Sequence, residues 1–163
     1  MNAQLEITPL HMDFDQRVVI RPSDYQWIES PARTVSRMPL ERAYAEHGHT
    51  TSIVRYAPNA SLPEHTHPGS EEIFVLEGVF QDEHGDYPAG TYLRKPVGTG
   101  HSPRSASGCL LFVKLWQSAP DDHQHLAINT HEASFVRGHG GLRVLPLHTH
   151  GTISTALVFW PKG

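Results

Sequence analysis

Short apolar segments, each closed by a turn, recur from one end of the chain to the other. They are rich in Val, Ile, Phe, Tyr and Thr, and 13 glycines and 13 prolines interrupt the 163 residues. Residues of the first kind favour strands, whereas Gly and Pro favour turns and interrupt helices. The pattern predicts an all-β protein, an antiparallel sandwich or barrel, with one helical turn after Pro22 that Ser23 caps. The predicted strands are 18–21, 33–38, 51–57, 71–80, 90–95, 108–116, 141–147 and 152–160.

Charge and composition exclude several classes of partner. The formal net charge is −4 with His neutral, and no run of Lys and Arg is present, which argues against nucleic acid. No apolar stretch approaches membrane-spanning length, and residues 1–14 lack the pattern of a secretory signal. The lone cysteine, Cys109, cannot form an intrachain disulfide and is predicted to be a small buried side chain. We therefore expect a cytoplasmic protein that binds neither nucleic acid nor a membrane.

Histidine is abundant, with 13 copies, and the sequence His-Thr-His occurs twice. In the first copy, His65 and His67 are two residues apart, so on a strand their imidazoles point to the same side. Glu71 opens the apolar segment that follows. If the apolar residues of the same parity face the interior, Glu71 is an interior carboxylate, which is costly there without a cation. Its neighbour Glu72 would then face solvent.

A fourth candidate ligand lies further along the chain. His101 follows a strand and a Pro-x-Gly-x-x-His turn, an arrangement that would return its imidazole to the same cavity. Three neutral imidazoles and one carboxylate bind a divalent first-row metal and leave a coordination position open to water or substrate. The spacing therefore predicts one metal site built around the first His-Thr-His.

The second copy, His148 and His150, is predicted not to bind a metal. No Glu or Asp occurs in the ten residues that follow it, and none of the 13 residues to the C-terminus is His, Cys, Asp or Glu. Two other pairs also lack a partner on a barrel wall and are predicted to be loop residues: His47 with His49, and His123 with His125.

The segments "HTHPGSE" (65–71), with Gly78, and "GTYLRKPVGTGH" (90–101) resemble the two conserved motifs of the cupin superfamily. The first motif reads His-x-His, three or four residues, Glu, six residues, Gly. The second reads Gly, five residues, Pro-x-Gly-x-x-His, three residues, Asn. Two positions depart: Asn59 stands where the first motif usually opens with Gly, and Ser105 stands where the second ends in Asn. Asn tolerates a positive φ, so we expect the turn to be kept.

Residues 65–114 are similar to the metal-binding cupin domain of ChrR-type anti-sigma proteins, in which that domain binds zinc. The resemblance implies an all-β cupin fold, a double-stranded β-helix or jelly-roll barrel. It implies one divalent metal, with Zn²⁺ as the first choice and Fe²⁺, Mn²⁺ or Ni²⁺ as alternatives. By this resemblance, the metal ligands are His65, His67, Glu71 and His101.

The resemblance leaves two classes of function open. ChrR-type proteins grip a sigma factor with a helical His/Cys zinc module, and the first 50 residues here read as strands and turns, so we do not expect a sigma factor as partner. One expectation is a regulatory domain that senses a small molecule or oxidative stress and signals through another protein. The alternative is an enzyme, an Fe(II)-dependent dioxygenase that cleaves a diketone or hydroxyketone, as acetylacetone dioxygenase does. The same ligand set binds both metals, so the sequence does not choose between them.

The ligand or substrate is expected inside the barrel. Four side chains near the motifs are candidates for its pocket: Tyr56, Tyr92, Arg94 and Trp116.

The chain is predicted to have two parts. Residues 1–125 would form the cupin barrel, including its N-terminal strands. Residues 126–163 would pack on that barrel or on a partner subunit. Parts of 33–59 loosely resemble parts of 141–162, which leaves open a partial second cupin repeat or a chance likeness. The strand at 152–160 is too apolar for a free tail, and pairing of its edge across a two-fold axis predicts a homodimer.

Overall fold

The structure is a computed structural model that describes residues 9–44 and 48–162. His47 and residues 1–8 therefore lie outside the described residues. Within the described ranges two single-turn 3₁₀ helices occur, Pro22–Asp24 and His139–Gly141, and neither is long and apolar enough to cross a membrane. The strands are β1 (Ile28–Glu29), β2 (Val35–Arg42), β3 (Thr50–Tyr56), β4 (Ala60–Ser61), β5 (His65–Thr66), β6 (Glu71–Gln81), β7 (Asp86–Pro88), β8 (Thr91–Lys95), β9 (Gly100–His101), β10 (Arg104–Ser105), β11 (Cys109–Leu115), β12 (Leu126–Asn129), β13 (Val136–Arg137), β14 (Arg143–His150) and β15 (Ile153–Phe159).

A main antiparallel sheet forms the barrel. Its strands follow the order β1-β2-β3-β11-β6-β10-β4, while β7 and β8 also pair with β6, and β12 pairs with β8. A short two-stranded sheet, β5-β9, lies at the motif loops, and a third sheet has the order β13-β14-β15. Strands far apart in sequence are neighbours, as in jelly-roll barrels. The predicted all-β cupin fold is confirmed.

Strand β6 separates two apolar cores because its side chains alternate between the two faces of the sheet. Ile73 and Val75 lie inside the barrel in the main core, which also contains the buried Cys109. Phe74 lies on the outer face, where it packs with Leu145 and Leu147 of β14 in a second, smaller core. The alternation of side chains along β6, as predicted from the sequence, therefore determines which of its residues point into the barrel.

The N-terminal part differs from the prediction. Residues 18–21 form no strand, and Val18 and Val19 are 44% and 53% exposed. Strand structure requires a hydrogen-bonded neighbour, and none of the described strands pairs with this segment. The predicted helical turn is the 3₁₀ turn Pro22–Asp24, where the Ser23 hydroxyl donates to the Asp24 carboxylate instead of capping the helix.

The C-terminal segment covers the outer face of the barrel. Its first strand, β12, pairs with β8 and so extends the main sheet. Strands β14 and β15 form a hairpin over the outer core, with Leu157 of β15 against Leu145 and Leu147. In this chain the hairpin therefore docks on its own barrel. The boundary at residue 125 and the partial repeat stay predictions.

Candidate metal centre

Pairing of the two motif loops brings the histidines together. In the β5-β9 sheet His65 lies directly opposite His101. Two backbone hydrogen bonds continue this pairing: the His67 N–H donates to the Thr99 carbonyl at 3.0 Å, and the Gly98 N–H donates to the His67 carbonyl at 3.0 Å. Backbone pairing thus holds together residues that are 31 to 36 positions apart, and it brings the histidine side chains close to one another.

The two departures from the cupin motifs keep their structural roles. Asn59 has φ 61°, so it adopts the left-handed conformation that the usual glycine would supply. The Ser105 hydroxyl donates to the Val79 carbonyl at 2.6 Å. Gly78 is required at its position, since an added Cβ would lie 2.1 Å from the Gly108 carbonyl oxygen. The scaffold around the motifs is therefore intact.

The three imidazoles converge on one point. Ligand atoms of His65, His67 and His101 all lie within 4.8 Å of one another, and the Nε2 atoms of His67 and His101 are 3.2 Å apart. The Nδ1 of His65 lies 2.9 Å from the Pro63 carbonyl, which can only accept, so Nδ1 carries the proton. The Nε2 of His65 then keeps its lone pair, which is the arrangement that metal-binding histidines use.

Glu71 lies beside two of these imidazoles with an unsatisfied carboxylate oxygen, and its role as a fourth ligand stays a prediction. Its side chain is buried, and Oε2 lies 3.5 Å from Nε2 of His67 and 3.4 Å from Nε2 of His101 without a hydrogen bond. Burial raises the pKa of Glu71 to about 7, although the positive charges of Lys95 and Arg37 oppose the shift. A buried carboxylate oxygen without a donor is costly, and a cation would satisfy it. The residues present therefore fit a divalent metal.

Two of the imidazoles are held in the form that a metal requires. Burial lowers the pKa of His67 to about 4 and that of His101 to about 3, and the positive charge of Lys95 acts in the same direction. Both rings are thus neutral at pH 7. Neutral imidazole is the metal ligand, because protonation removes the lone pair that would bind.

Two of the four pocket candidates lie at this centre. A cavity of about 70 Å³ is lined by the histidine cluster, Glu71 and Tyr56. Outside it, a wider mouth of about 460 Å³ is lined by His65, His67 and Trp116. Burial raises the pKa of Tyr56, so its hydroxyl stays protonated. A contact of either aromatic residue with a ligand stays a prediction.

The structure places the other two candidates, Tyr92 and Arg94, on the opposite face of the sheet. In the β6-β8 ladder Tyr92 lies opposite Phe74 and Arg94 opposite Glu72, so both share the outer face. The Tyr92 hydroxyl and the Arg94 guanidinium each donate to Oε1 of Glu72 at 2.6 Å, and Arg94 also donates to Asp122 at 2.5 Å. The register of β8 on β6, which no sequence pattern indicated, separates the pair from the cavity.

Glu72 points away from the barrel interior, but the expectation that it faces solvent is wrong. Only 7% of the residue is exposed. The hairpin of β14 and β15 covers the outer face, and the Thr155 hydroxyl donates to Oε1 of Glu72 at 3.1 Å. The buried cluster of Glu72, Tyr92, Arg94, Asp122 and His148 is called the outer polar network below.

The second His-Thr-His belongs to this network. Nε2 of His148 lies 2.7 Å from Oδ2 of Asp122, and Nε2 of His150 lies 3.2 Å from Oδ1 of Asp121. Burial alone would raise the pKa of Asp122, but hydrogen bonds, among them those from His148 and Arg94, lower it to about 2. No carboxylate side chain follows this copy in the sequence, but the fold supplies two from 26 and 29 positions before it.

The described members of the remaining histidine pairs, His49, His123 and His125, lie outside the strands. His123 and His125 are exposed in the loop between β11 and β12. His49 precedes β3, and its Nδ1 lies 3.1 Å from Oε1 of Glu41. Among the described residues, neither place brings three metal-ligating groups together.

Comparison with known proteins agrees with this geometry. Residues 15–119 match the ChrR cupin-like domain family. A chain from the complex of Rhodobacter sphaeroides SigE with the anti-sigma ChrR is similar in structure, with 22% identity, a TM-score of 0.50 and coverage of 58% of this chain and 51% of that one. A cupin-like protein from Ralstonia eutropha has 17% identity, a TM-score of 0.55 and coverage of 69% and 76%. A Methylibium petroleiphilum protein, provisionally assigned as an acetylacetone dioxygenase, has 16% identity, a TM-score of 0.54 and coverage of 72% and 92%.

No curated protein sequence matches the chain. The chain spans about half the length of its structural neighbour from the ChrR complex, and identities at this level show a shared fold alone. The family match, in contrast, covers more than half of this chain and includes both motif loops. The protein is a member of the ChrR cupin-like domain family.

Proposed function

We propose that the protein is a metal-binding cupin of the ChrR-like type, a regulatory domain that senses a small molecule or oxidative stress. One divalent metal, Zn²⁺ as the first choice, would be held by His65, His67, Glu71 and His101. The observation that carries the proposal is Oε2 of Glu71, which is buried without a hydrogen bond beside two Nε2 atoms. A divalent cation would satisfy the carboxylate and both imidazoles together.

The chain's own residues would shape what reaches this centre. When bound, the metal would supply Lewis acidity and a coordination position for a small molecule. The apolar walls of the cavity, which include Val54, Leu111 and Phe80, would exclude bulk water. The protonated Tyr56 hydroxyl could donate a hydrogen bond to a ligand. The sensor would pass its state to another protein.

Elemental analysis combined with oxygen uptake tests this proposal. Protein purified without a polyhistidine tag is analysed for first-row metals and then supplied with a panel of β-diketones under air. The sensor proposal expects zinc and no oxygen uptake. Iron together with uptake of oxygen and loss of diketone would overturn the sensor in favour of an enzyme.

The second candidate is an Fe(II)-dependent dioxygenase that acts on a diketone or hydroxyketone. The observation that favours it is the cavity, since about 70 Å³ of space beside the imidazoles leaves room for small ligands. The Methylibium petroleiphilum neighbour carries a dioxygenase assignment, but it shares only the fold. The experiment above separates the two candidates.

We also propose that the protein forms a homodimer through β15. Among the described strands β15 pairs only with β14, so its other edge is open. Ile153, Val158, Phe159 and Trp160 of this region are 39%, 43%, 49% and 72% exposed. Pairing of two such edges across a two-fold axis would satisfy the backbone of both chains.

Light scattering on Val158→Lys tests the dimer, with a monomer expected from the variant and a dimer from the wild type. The matched control is Val136→Lys on β13, at the far edge of the same sheet, where the side chain is 55% exposed. A dimer that survives Val158→Lys, or is lost with Val136→Lys, would contradict the proposed interface.

A further inference from the structure

We infer that the ligand of this centre is a small organic dianion, with one acidic group at the histidine cluster and a second held at the cavity mouth by Arg37 and Arg42. The inference rests on the proposed metal site and names the chemical class of molecule that the site receives.

Both arginines line the mouth, and Arg37 reaches further in. The mouth of about 460 Å³ is lined by Arg37 and Arg42 together with His65 and His67 of the metal centre. Arg37 also lines the inner cavity of about 70 Å³. Its position on β2 is opposite Val54 of β3, a residue that lines both spaces. The Arg37 guanidinium therefore lies at the passage from the mouth to the histidines.

Neither of these two guanidinium groups is paired with an anion from residues 9–44 or 48–162. Among the described residues, neither Arg37 nor Arg42 makes an ion pair or a side-chain hydrogen bond, and Nε of Arg42 is buried without a partner. Guanidinium groups form paired hydrogen bonds with carboxylates, so two unpaired ones beside a cavity indicate a site for an anion.

Other arginines of the chain have structural roles, and neighbouring side chains bind their guanidinium groups. Arg94 binds two buried carboxylates. Arg55 stacks over the ring of Trp27, and Arg143 stacks over Phe159. These side chains are engaged by the fold, in contrast to the two at the mouth.

The balance of charge at the mouth is positive. The one carboxylate among its lining residues, Glu29, has a largely exposed side chain and lies 3.6 Å from Nε of Arg33. Two cations consequently face the cavity with no anion committed to them. The electric field would favour entry of anions over neutral molecules.

The rest of the lining suits a short hydrocarbon spacer between two acidic groups. Val54, Val113 and Leu115 form an apolar wall between the mouth and the inner cavity. The volume of the mouth lies within the range of ordinary small-molecule sites. A dicarboxylate of four or five carbons matches this pattern of charge, apolar wall and charge, whereas a neutral diketone leaves both arginines unpaired.

Isothermal titration calorimetry on the Zn²⁺-loaded protein tests the inference with two pairs of probes of equal carbon number, succinate against butyrate and glutarate against valerate. The wild type should bind each diacid about tenfold or more tightly than its monoacid, since a charged hydrogen-bonded pair adds roughly that factor. Arg37→Gln and Arg42→Gln should each weaken diacid binding by about tenfold and leave monoacid binding within about twofold.

Arg104→Gln on β10 is the matched control, because Arg104 is exposed, lines neither space and carries the same charge. It should leave both affinities unchanged. If Arg42→Gln does not fold, Arg42→Lys takes its place, because lysine keeps the positive charge and the aliphatic stem. This variant should still lose affinity for the diacid, because lysine cannot form the paired hydrogen bonds.

The possible failures are distinguishable. Two outcomes would overturn the inference but leave the metal centre intact, provided that the protein retains zinc. The first is equal affinity for diacid and monoacid, and the second is a diacid affinity that neither arginine variant changes. Failure of the wild type to retain zinc or any other first-row metal overturns the proposed function, and this inference with it.

Discussion

Glu71 and Glu72 are adjacent and equally buried, at 6% and 7% exposure, yet their surroundings are opposite. Oε2 of Glu71 has two imidazole nitrogens at 3.4 and 3.5 Å and no hydrogen bond. Oε1 of Glu72 accepts hydrogen bonds from Tyr92, Arg94 and Thr155. A buried carboxylate oxygen with three donors is satisfied within the fold, whereas one that faces imidazoles without donors is suited to a cation.

The two His-Thr-His copies show the same difference. In the first, the Nε2 atoms of His67 and His101 face each other with Glu71 beside them. In the second, His148 lies beside Asp122, a carboxylate that also accepts a hydrogen bond from Arg94. An identical tripeptide therefore serves two purposes, and the partners that the fold brings to it decide which.

The largest effect should come from breaking the outer polar network at its cation. Arg94→Met leaves Glu72 and Asp122 buried without their guanidinium, which should lower the free energy of unfolding by about 3–5 kcal/mol in urea titrations of metal-free protein. The exposed Arg104→Met is the control and should change it by less than about 0.5 kcal/mol. A loss below about 1 kcal/mol for Arg94→Met would mean that the network contributes little.

Paired amide substitutions of the two glutamates sharpen the comparison. In metal-free protein at pH 8, Glu72→Gln should lower the free energy of unfolding by about 1–3 kcal/mol, because hydrogen bonds to a charged acceptor are weakened. Glu71→Gln should leave it unchanged or raise it, since it removes a buried charge that has no donor. Equal destabilisation by the two variants, measured by urea unfolding, would contradict the assignment of different roles.

Metal affinity should depend on pH through Glu71. Its carboxyl group is protonated below a pKa of about 7 and must lose that proton to bind a cation, so affinity falls as the pH falls through 7. Between pH 5 and pH 7 the slope for wild type should exceed that for Glu71→Gln by one proton, about tenfold in affinity per pH unit. Competition titrations against a chelator measure this, and equal slopes for the two proteins would exclude Glu71 as a ligand.

The raised pKa of Glu71 has the opposite effect on the stability of the metal-free protein. Because the pKa of Glu71 is raised on folding, its favourable contribution is present below its ordinary value of 4.5 and is lost as the pH rises through about 7. The depressed pKa values of His67 and His101 contribute stability above 6.5 that is lost as the pH falls toward 4 and 3. Glu71→Gln should remove only the first of these trends from a plot of unfolding free energy against pH.

A smaller difference is expected between two tyrosines. Tyr92→Phe removes the hydroxyl that donates to Glu72 and should lower the free energy of unfolding by about 1–2 kcal/mol. Tyr56 makes no side-chain hydrogen bond with the described residues and lines the inner cavity, so Tyr56→Phe should have an effect below about 0.5 kcal/mol on the metal-free protein. Equal losses of unfolding free energy for Tyr92→Phe and Tyr56→Phe, in thermal or urea unfolding, would contradict this difference between the outer face and the inner cavity.

The parts of the site that sequence predicted are those fixed by local rules. Strand alternation placed Glu71 with Ile73 and Val75, and the motif spacings singled out the three histidines that the fold brings together. The fold itself followed from short strand-like segments and their turns.

The parts that sequence missed depend on contacts between distant segments. The hairpin covers Glu72 only because residues near 155 dock on the outer face, and Asp122 meets His148 only in that docked state. The displacement of Tyr92 and Arg94 from the cavity follows from the register of β8 on β6, which no short motif encodes. No sequence pattern distinguishes Arg37 and Arg42 from other surface arginines, because only the fold places them at the cavity mouth.

Elemental analysis of three proteins tests the central claim most directly. Wild type, His101→Ala and His148→Ala are loaded with Zn²⁺, dialysed against a weak chelator and analysed for bound metal. About one equivalent of zinc is expected in the wild type and in His148→Ala, and almost none in His101→Ala. Full retention in His101→Ala, or loss of the metal in His148→Ala, would contradict this claim.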